Sequence, residues 1–389
     1  MLPLIILFCV VNGYQSSHTP KSLSKRITNE IHTQTGAVIT TLVSALIAFP
    51  TNAHAETQIT LPLSIVDGVF VTTYRLNGRE MKAIVDTGSP FLVVPSICSK
   101  SWGCLSEKDM NKFQPTNLED TVEIYGGQDF ESEWKEVNNI KLGDVSLQNV
   151  IFPLVGYDVF RPPGGVFMGL IKYKTASIRP TFLSQTKFSC IRLNLPAKTL
   201  ELTSAHLINP GDKNAVKLVD LRDSGDPVRH YTAKVKELYI NGVQIGADEV
   251  LYAVFDTGTS GCVLQDEIYF DKMTPNPPRV ITVVLENENG GEVILSAKAK
   301  RDSIFVVTAS DIGWFKYKLV DNCTRRARNP TCQKVEGKTP LVVVLVLTHS
   351  LTHSLTHSLT HSLTQLKGTA FLEGRVLTID ADQNKVLIS

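Results

Sequence analysis

The sequence predicts a mainly β protein built from two related halves. Three observations carry that expectation. Runs rich in valine, isoleucine, threonine and aromatic residues are broken by Asn-Gly turn signals, as in "GVFVTTYRLNGREMKAIVDTG" and "YTAKVKELYINGVQIG". Long stretches of 3.6-residue apolar periodicity are scarce. One strand-turn-strand pattern also occurs twice, about 170 residues apart.

The chain has 389 residues, 43% hydrophobic and 20% charged, with a formal net charge of +1. That length can bury one large core or two moderate ones. So small a charge provides no basic field for nucleic acid and no acidic tail. No apolar run reaches the ~18 residues of a membrane-spanning helix, so no stable membrane span is expected in the mature chain.

The first 55 residues differ from the rest and are excluded from the predicted fold. An apolar run, "MLPLIILFCVV", is followed by a hydroxyl-rich stretch with Lys21, Lys25 and Arg26 against the single acid Glu30. A second apolar run, 37–49, ends at "TNAHA", where Ala53 and Ala55 form an A-x-A pattern suited to a signal peptidase. Two signals in series read as bipartite targeting, entering the secretory route and leading to a thylakoid lumen in algae with complex plastids. The alternative is one secretory signal followed by a short pro-segment, with a secreted or vacuolar/lysosomal destination.

Six cysteines follow Ala55: Cys98, Cys104, Cys190, Cys262, Cys323 and Cys332. Cys98 with Cys104, and Cys323 with Cys332, are close enough to close small loops, and export makes disulfides plausible there. Cys190 and Cys262 sit in apolar strand contexts and read as buried free thiols. Asn322-Cys323-Thr324 formally matches a glycosylation acceptor, weakly so if Cys323 is paired. Trp102, Trp134 and Trp314 carry no functional signal. His206 and His230 show no partner and read as surface residues.

The repeated pattern is "KAIVDTGSPFLVVP" (82–95) and "YAVFDTGTSGCVLQ" (252–265). A lone Asp-Thr-Gly is usually an ordinary turn, because Asp and Gly are turn residues. Two copies with matched flanks, in halves of similar size (56–205 and 206–389), ask for a chemical reason. A buried strand delivers Asp86 or Asp256, and Gly88 or Gly258 permits a tight turn that offers N–H groups to the carboxylate. Thr87 and Thr257 can hydrogen-bond across a pseudo-two-fold axis, while Ser89 and Thr259 can donate to the adjacent aspartate. Two carboxylates so placed share one proton around a water. The ionised one accepts a proton from the water and the protonated one donates to a scissile carbonyl. That is acid-range amide hydrolysis with no metal, no cofactor and no covalent intermediate.

With these residues the chain resembles the pepsin-like aspartic peptidases over nearly all of residues 57–389, in the style of the plant nepenthesin-like branch. The resemblance implies a two-lobed β fold with the active site between the lobes, Asp86 and Asp256 as the catalytic pair, and polypeptide substrates. It makes Tyr125 and Gly126, in "TVEIYGGQDFESEW", part of a hairpin flap. It places Gly169, in "GGVFMGL", on a strand threading behind the first aspartate. "TKFSCIRLN" resembles the strand that closes the first lobe, and "GTAFLEGRVLTIDADQNKVLIS" the last strands. It also sets Cys98 and Cys104 where the family often carries a small disulfide loop.

The departures are instructive. Val93 stands where many members carry a tryptophan that holds the flap tyrosine. The flap is one residue tighter than the common form and carries Asp129, Glu131 and Glu133. Those acids read as a solvated face, with a preference for basic substrate side chains as the alternative. Ala55 lies 31 residues before Asp86, which leaves no room for an inhibitory pro-segment of usual size if cleavage occurs there.

Both halves in one chain point to a monomer rather than a dimerising protease. The rival function is a catalytically silent pepsin-like fold used for binding or inhibition; loss of either aspartate would mark it, and both are present.

Four of the nine histidines (His349, His353, His357 and His361) lie in a Thr-His-Ser-Leu repeat. On a helix, i, i+4 spacing would put them on one face, but a tandem repeat generates that spacing automatically and no acid or cysteine accompanies them. Joining Leu345 directly to Gly368 gives "PLVVVLGTAFLEG", which fits the family's strand behind the second aspartate without a gap. Residues 346–367 therefore read as a translated intron. Valine codons begin GT, one lysine codon ends AG, and 22 codons keep the frame.

Overall fold

The computed structural model describes residues 57–298 apart from gaps, the longest being 97–101, 157–166 and 266–279. It also describes segments 306–309, 317–318, 333–334 and 341–348, and residues 371–389 apart from 373. The described part is mainly β. Its helix consists of one α-turn, Glu107–Met110, and the short 3₁₀ segments Leu183–Gln185 and Arg222–Ser224. Ser106 and Asp109 cap the α-turn reciprocally, which explains how four residues hold a helical geometry that chain length alone would not support.

Both Asn-Gly signals form hairpin turns. Asn77 and Gly78 take φ of 50° and 83°, and Asn241 and Gly242 take 52° and 81°. Consecutive positive φ is the primed turn that matches strand twist, and Asn and Gly are the residues that adopt it at least cost. The first turn joins Val69–Leu76 to Arg79–Asp86, with Leu76 opposite Arg79. The second joins Thr232–Ile240 to the short strand Val243–Ile245. The strand Leu251–Ser260 then pairs with the other end of Thr232–Ile240, with Thr232 opposite Val254.

Each aspartate-bearing strand is flanked on its other side by a parallel strand from farther along the chain. Phe167–Gly169 runs beside Arg79–Asp86 with Gly169 opposite Asp86. Leu341–Thr348 runs beside Leu251–Ser260 with Leu345 opposite Phe255 and Val346 opposite Asp256. A strand buried between two neighbours reads as a continuous apolar run, as "AIV" and "AVF" do.

The sheet that contains Leu251–Ser260 continues through strands from distant parts of the sequence. Gln58–Pro62 pairs with Thr199–Thr203, which pairs with Cys190–Asn194, which pairs with Val376–Asp380. The last strand forms a hairpin with Lys385–Ile388, which lies beside Ala215–Val219. Along Gln58–Pro62 exposed and buried residues alternate, the period-two signature of a sheet with one face on the core. The core itself includes the fully buried rings of Tyr74, Phe91, Phe152, Phe182, Phe188 and Phe255.

Candidate active site

The two Asp-Thr-Gly turns meet. Thr87 N–H donates to Thr257 Oγ1 at 3.0 Å, and Thr257 N–H donates to Thr87 Oγ1 at 3.0 Å. Each hydroxyl then donates onward across the axis, Thr87 to the Phe255 carbonyl at 2.9 Å and Thr257 to the Val85 carbonyl at 2.6 Å. The four bonds form a closed, reciprocal set in which each threonine both accepts and donates. Both threonines are buried, so an unmade bond would leave a desolvated polar group costing about 1–3 kcal/mol.

The aspartates obey the same local two-fold. Gly88 N–H donates to Asp86 Oδ1 at 2.7 Å, and Gly258 N–H donates to Asp256 Oδ1 at 2.7 Å. Each carboxylate also packs on the glycine of the opposite turn. A Cβ built on Gly88 would fall 2.5 Å from Asp256 Cγ, and one on Gly258 would fall 2.3 Å from Asp86 Cγ. Glycine is therefore required by close approach, and neither residue needs it for a positive φ. Gly258→Ala is expected to displace Asp86 and lower any dyad-dependent activity by about 100-fold, since misplacing a reacting group by an ångström costs that much. Steady-state kinetics with a thermal melt checks it.

Asp86 and Asp256 are 1% and 6% exposed. Burial raises the Asp86 pKa well above the ordinary carboxylate range, and the charge of Asp256 and a hydrogen bond shared with it push the same way. The Gly88 N–H opposes the shift without reversing it. The buried Ser89 hydroxyl lies close enough to Asp86 to pull its pKa partly back down, yet it makes no well-formed hydrogen bond. Asp86 is thus set up to hold a proton beside a second carboxylate.

The loop after the first turn is pinned by the strand behind it. Gly169 N–H donates to the Phe91 carbonyl at 2.9 Å, Leu170 N–H to the Asp86 carbonyl at 2.7 Å, and Ile171 N–H to the Ser89 carbonyl at 3.0 Å. A Cβ at Gly169 would sit 2.4 Å from Phe91 N and 2.6 Å from its carbonyl oxygen, so only glycine lets these backbones approach.

Other predicted positions fall as follows. Tyr125 ends the strand Thr121–Tyr125, opposite Gln128 in the hairpin with Gln128–Val137. Its side chain, Gly126, the Thr259 side chain, Gly368, and Cys98, Cys323 and Cys332 lie outside the described residues. Cys104 is disulfide-bonded. Cys190 is a buried free thiol, whose pKa burial pushes up to about 12. The repeat histidines also lie outside the described residues. A cavity of about 610 Å³ beside the hairpin is lined by residues that include Asp120, Glu131 and Glu133. Glu131 and Glu133 are exposed, and Glu133 is paired with Lys135, as a solvated face requires.

The surface assignment of His230 is corrected by the structure. Its side chain is 11% exposed, and Nδ1 lies 2.7 Å from Oδ1 of the buried Asp226. His206 is half exposed and pairs with Asp380 at 2.8 Å. The Asp226 carboxylate holds His230 by its backbone N–H as well as its ring; the D-x-x-x-H spacing was the available signal, but outside a helix it does not fix contact.

No family model matches this chain, and no curated protein matches it. The functional reading rests on the site.

Proposed function

We propose that this chain is an aspartic endopeptidase with the two-lobed fold of the pepsin-like enzymes, its active site between the lobes. The observation that carries the reading is the reciprocal Thr87–Thr257 lock, which holds two buried aspartates in contact. A structural role alone gives no reason to bury two carboxylates together, since each opposes the other's ionisation.

The proposed reaction uses the pair with one proton aboard. The burial and neighbouring charge around Asp86 favour its neutral form, which donates to the scissile carbonyl and stabilises the developing oxyanion. The ionised member of the pair takes a proton from the attacking water. The tetrahedral intermediate collapses as the amine leaves with a proton from the dyad. No metal or cofactor enters these steps. Activity belongs to the pH range in which the pair holds a single proton.

The test is cleavage of an unfolded protein substrate at acidic pH, with and without pepstatin, by wild type, Asp86→Asn and Asp256→Asn. Pepstatin-sensitive cleavage by wild type, reduced by about 10³-fold or more in both variants, is expected, since acid–base catalysis by positioned groups contributes about 10²–10⁴-fold. Equal activity in all three proteins would remove the proposal. The preparation's N-terminus, read by mass spectrometry, reports which targeting segment was removed.

A further inference from the structure

The His230–Asp226 pair lies on the segment that leads into Thr232–Ile240, the strand paired with Leu251–Ser260. The Asp226 carboxylate accepts from Val228 N–H at 3.1 Å and from His230 N–H at 3.2 Å, besides the imidazole. This segment is tied to the first half by Arg229 N–H to the Tyr173 carbonyl at 2.9 Å and by the Thr175 hydroxyl to the Asp226 carbonyl at 3.1 Å. The next residue ties the strand bearing Asp256 to the segment that follows Phe167–Gly169. Tyr231 donates its hydroxyl to the Leu170 carbonyl at 2.6 Å, and its own carbonyl accepts from Phe255 N–H at 2.9 Å.

Thr232 pairs antiparallel with Val254, and Phe255 N–H donates to the Tyr231 carbonyl, so the register sets His230 alongside Asp256. The imidazole Nδ1 meets the Asp226 carboxylate, to which an imidazolium donates a charge-assisted hydrogen bond. The charged groups facing the ring are Asp226 from its own segment and Asp256 from the second turn. The neighbouring Arg229 turns to Asp220, 3.4 Å away, and stacks on Tyr173.

We propose that His230 is a positioning residue for the aspartate pair: as an imidazolium clamped by buried Asp226 it sets a positive charge beside Asp256. The proposal rests on the peptidase reading of the site. Burial by itself would lower the imidazole pKa, but the charge and hydrogen bond of Asp226, with help from Asp256 and the Gly88 backbone, raise it above its ordinary value. The clamp is therefore complete in acid and is lost as pH rises through that raised pKa.

The experiment compares wild type with His230→Gln, which keeps a neutral donor of similar reach, across the pH–rate profile. Loss of a positive charge beside the dyad is expected to move both limbs of the profile upward by about one pH unit, with kcat reduced about tenfold or more. A residue that only fills space would lower the profile without moving it along the pH axis, and that result overturns the proposal. A second readout needs no activity: the His230 imidazole titration followed by NMR in the full chain. Its midpoint is expected to fall in Asp256→Asn and further in Asp226→Asn. A midpoint unchanged by Asp256→Asn also overturns the clamp. If wild type shows no pepstatin-sensitive cleavage, the peptidase reading fails on that assay, while the titration still decides whether His230 and Asp256 are coupled.

Discussion

Deleting residues 346–367, so that Leu345 is followed directly by Gly368, is expected to raise both activity and stability relative to the full chain. The reason is strand register. Behind Asp86 the parallel strand places Gly169, whose missing Cβ admits Phe91 N at 2.4 Å. Behind Asp256 the matching position is Val346, the first residue of the interrupting segment. By the local two-fold, position 346 calls for glycine, and the deletion supplies Gly368 there. Forcing a side chain into a position that needs glycine costs about 1–3 kcal/mol, or several degrees of Tm at about 2–4 °C per kcal/mol for a chain of this order of size. A glycine next to Asp256 is expected to increase kcat/KM of the proposed reaction by about 10–100-fold. Val346→Gly in the full chain, which restores the glycine but keeps the segment, should recover part of both gains. A deleted chain that melts lower and cleaves more slowly than the full chain would show that the segment is integral to the fold. Transcript sequencing decides the origin: cDNA encoding the Thr-His-Ser-Leu units removes the intron explanation.

Much of this arrangement is legible in the sequence because its causes are local. Asn77-Gly78 and Asn241-Gly242 specify primed turns by their own backbone preferences, and "AIVDTG" and "AVFDTG" announce buried strands ending in tight turns. The repeat also makes the meeting of Thr87 with Thr257 foreseeable, because two copies of one element allow a two-fold contact. His230 illustrates the opposite case. Its burial depends on the path of 226–231 between Tyr173 and Phe255, a long-range relation that residue types at those positions do not encode. The sheet joining Gln58–Pro62 through Cys190–Asn194 to Val376–Asp380 is non-local in the same way. Each strand shows its alternation, but alternation does not name a partner.

Asp86→Asn is expected to abolish cleavage while making the protein more stable at neutral pH, a pairing of signs that separates a catalytic carboxylate from a structural one. The stability half follows from linkage. Asp86 has a folded-state pKa raised above its unfolded value, first by burial and then by Asp256. Below the unfolded pKa, near 4, the group is protonated in both states and imposes no penalty. As pH rises through the folded titration, the native state must ionise Asp86 against burial and a like charge, and stability falls. The loss of the His230 clamp runs in the same direction, because its raised pKa also favours the folded state in acid. Asparagine keeps an oxygen for the Gly88 N–H and carries no charge at any pH, so the Asp86 share of the penalty disappears. Thermal melts should therefore nearly coincide for wild type and Asp86→Asn at pH 3 and diverge by several degrees at pH 7, the variant melting higher. Cleavage at acid pH should meanwhile fall by about 10³-fold or more. A Tm difference that does not grow with pH would show that Asp86 is not held protonated by its surroundings, and retained cleavage would show that it does not carry the reaction.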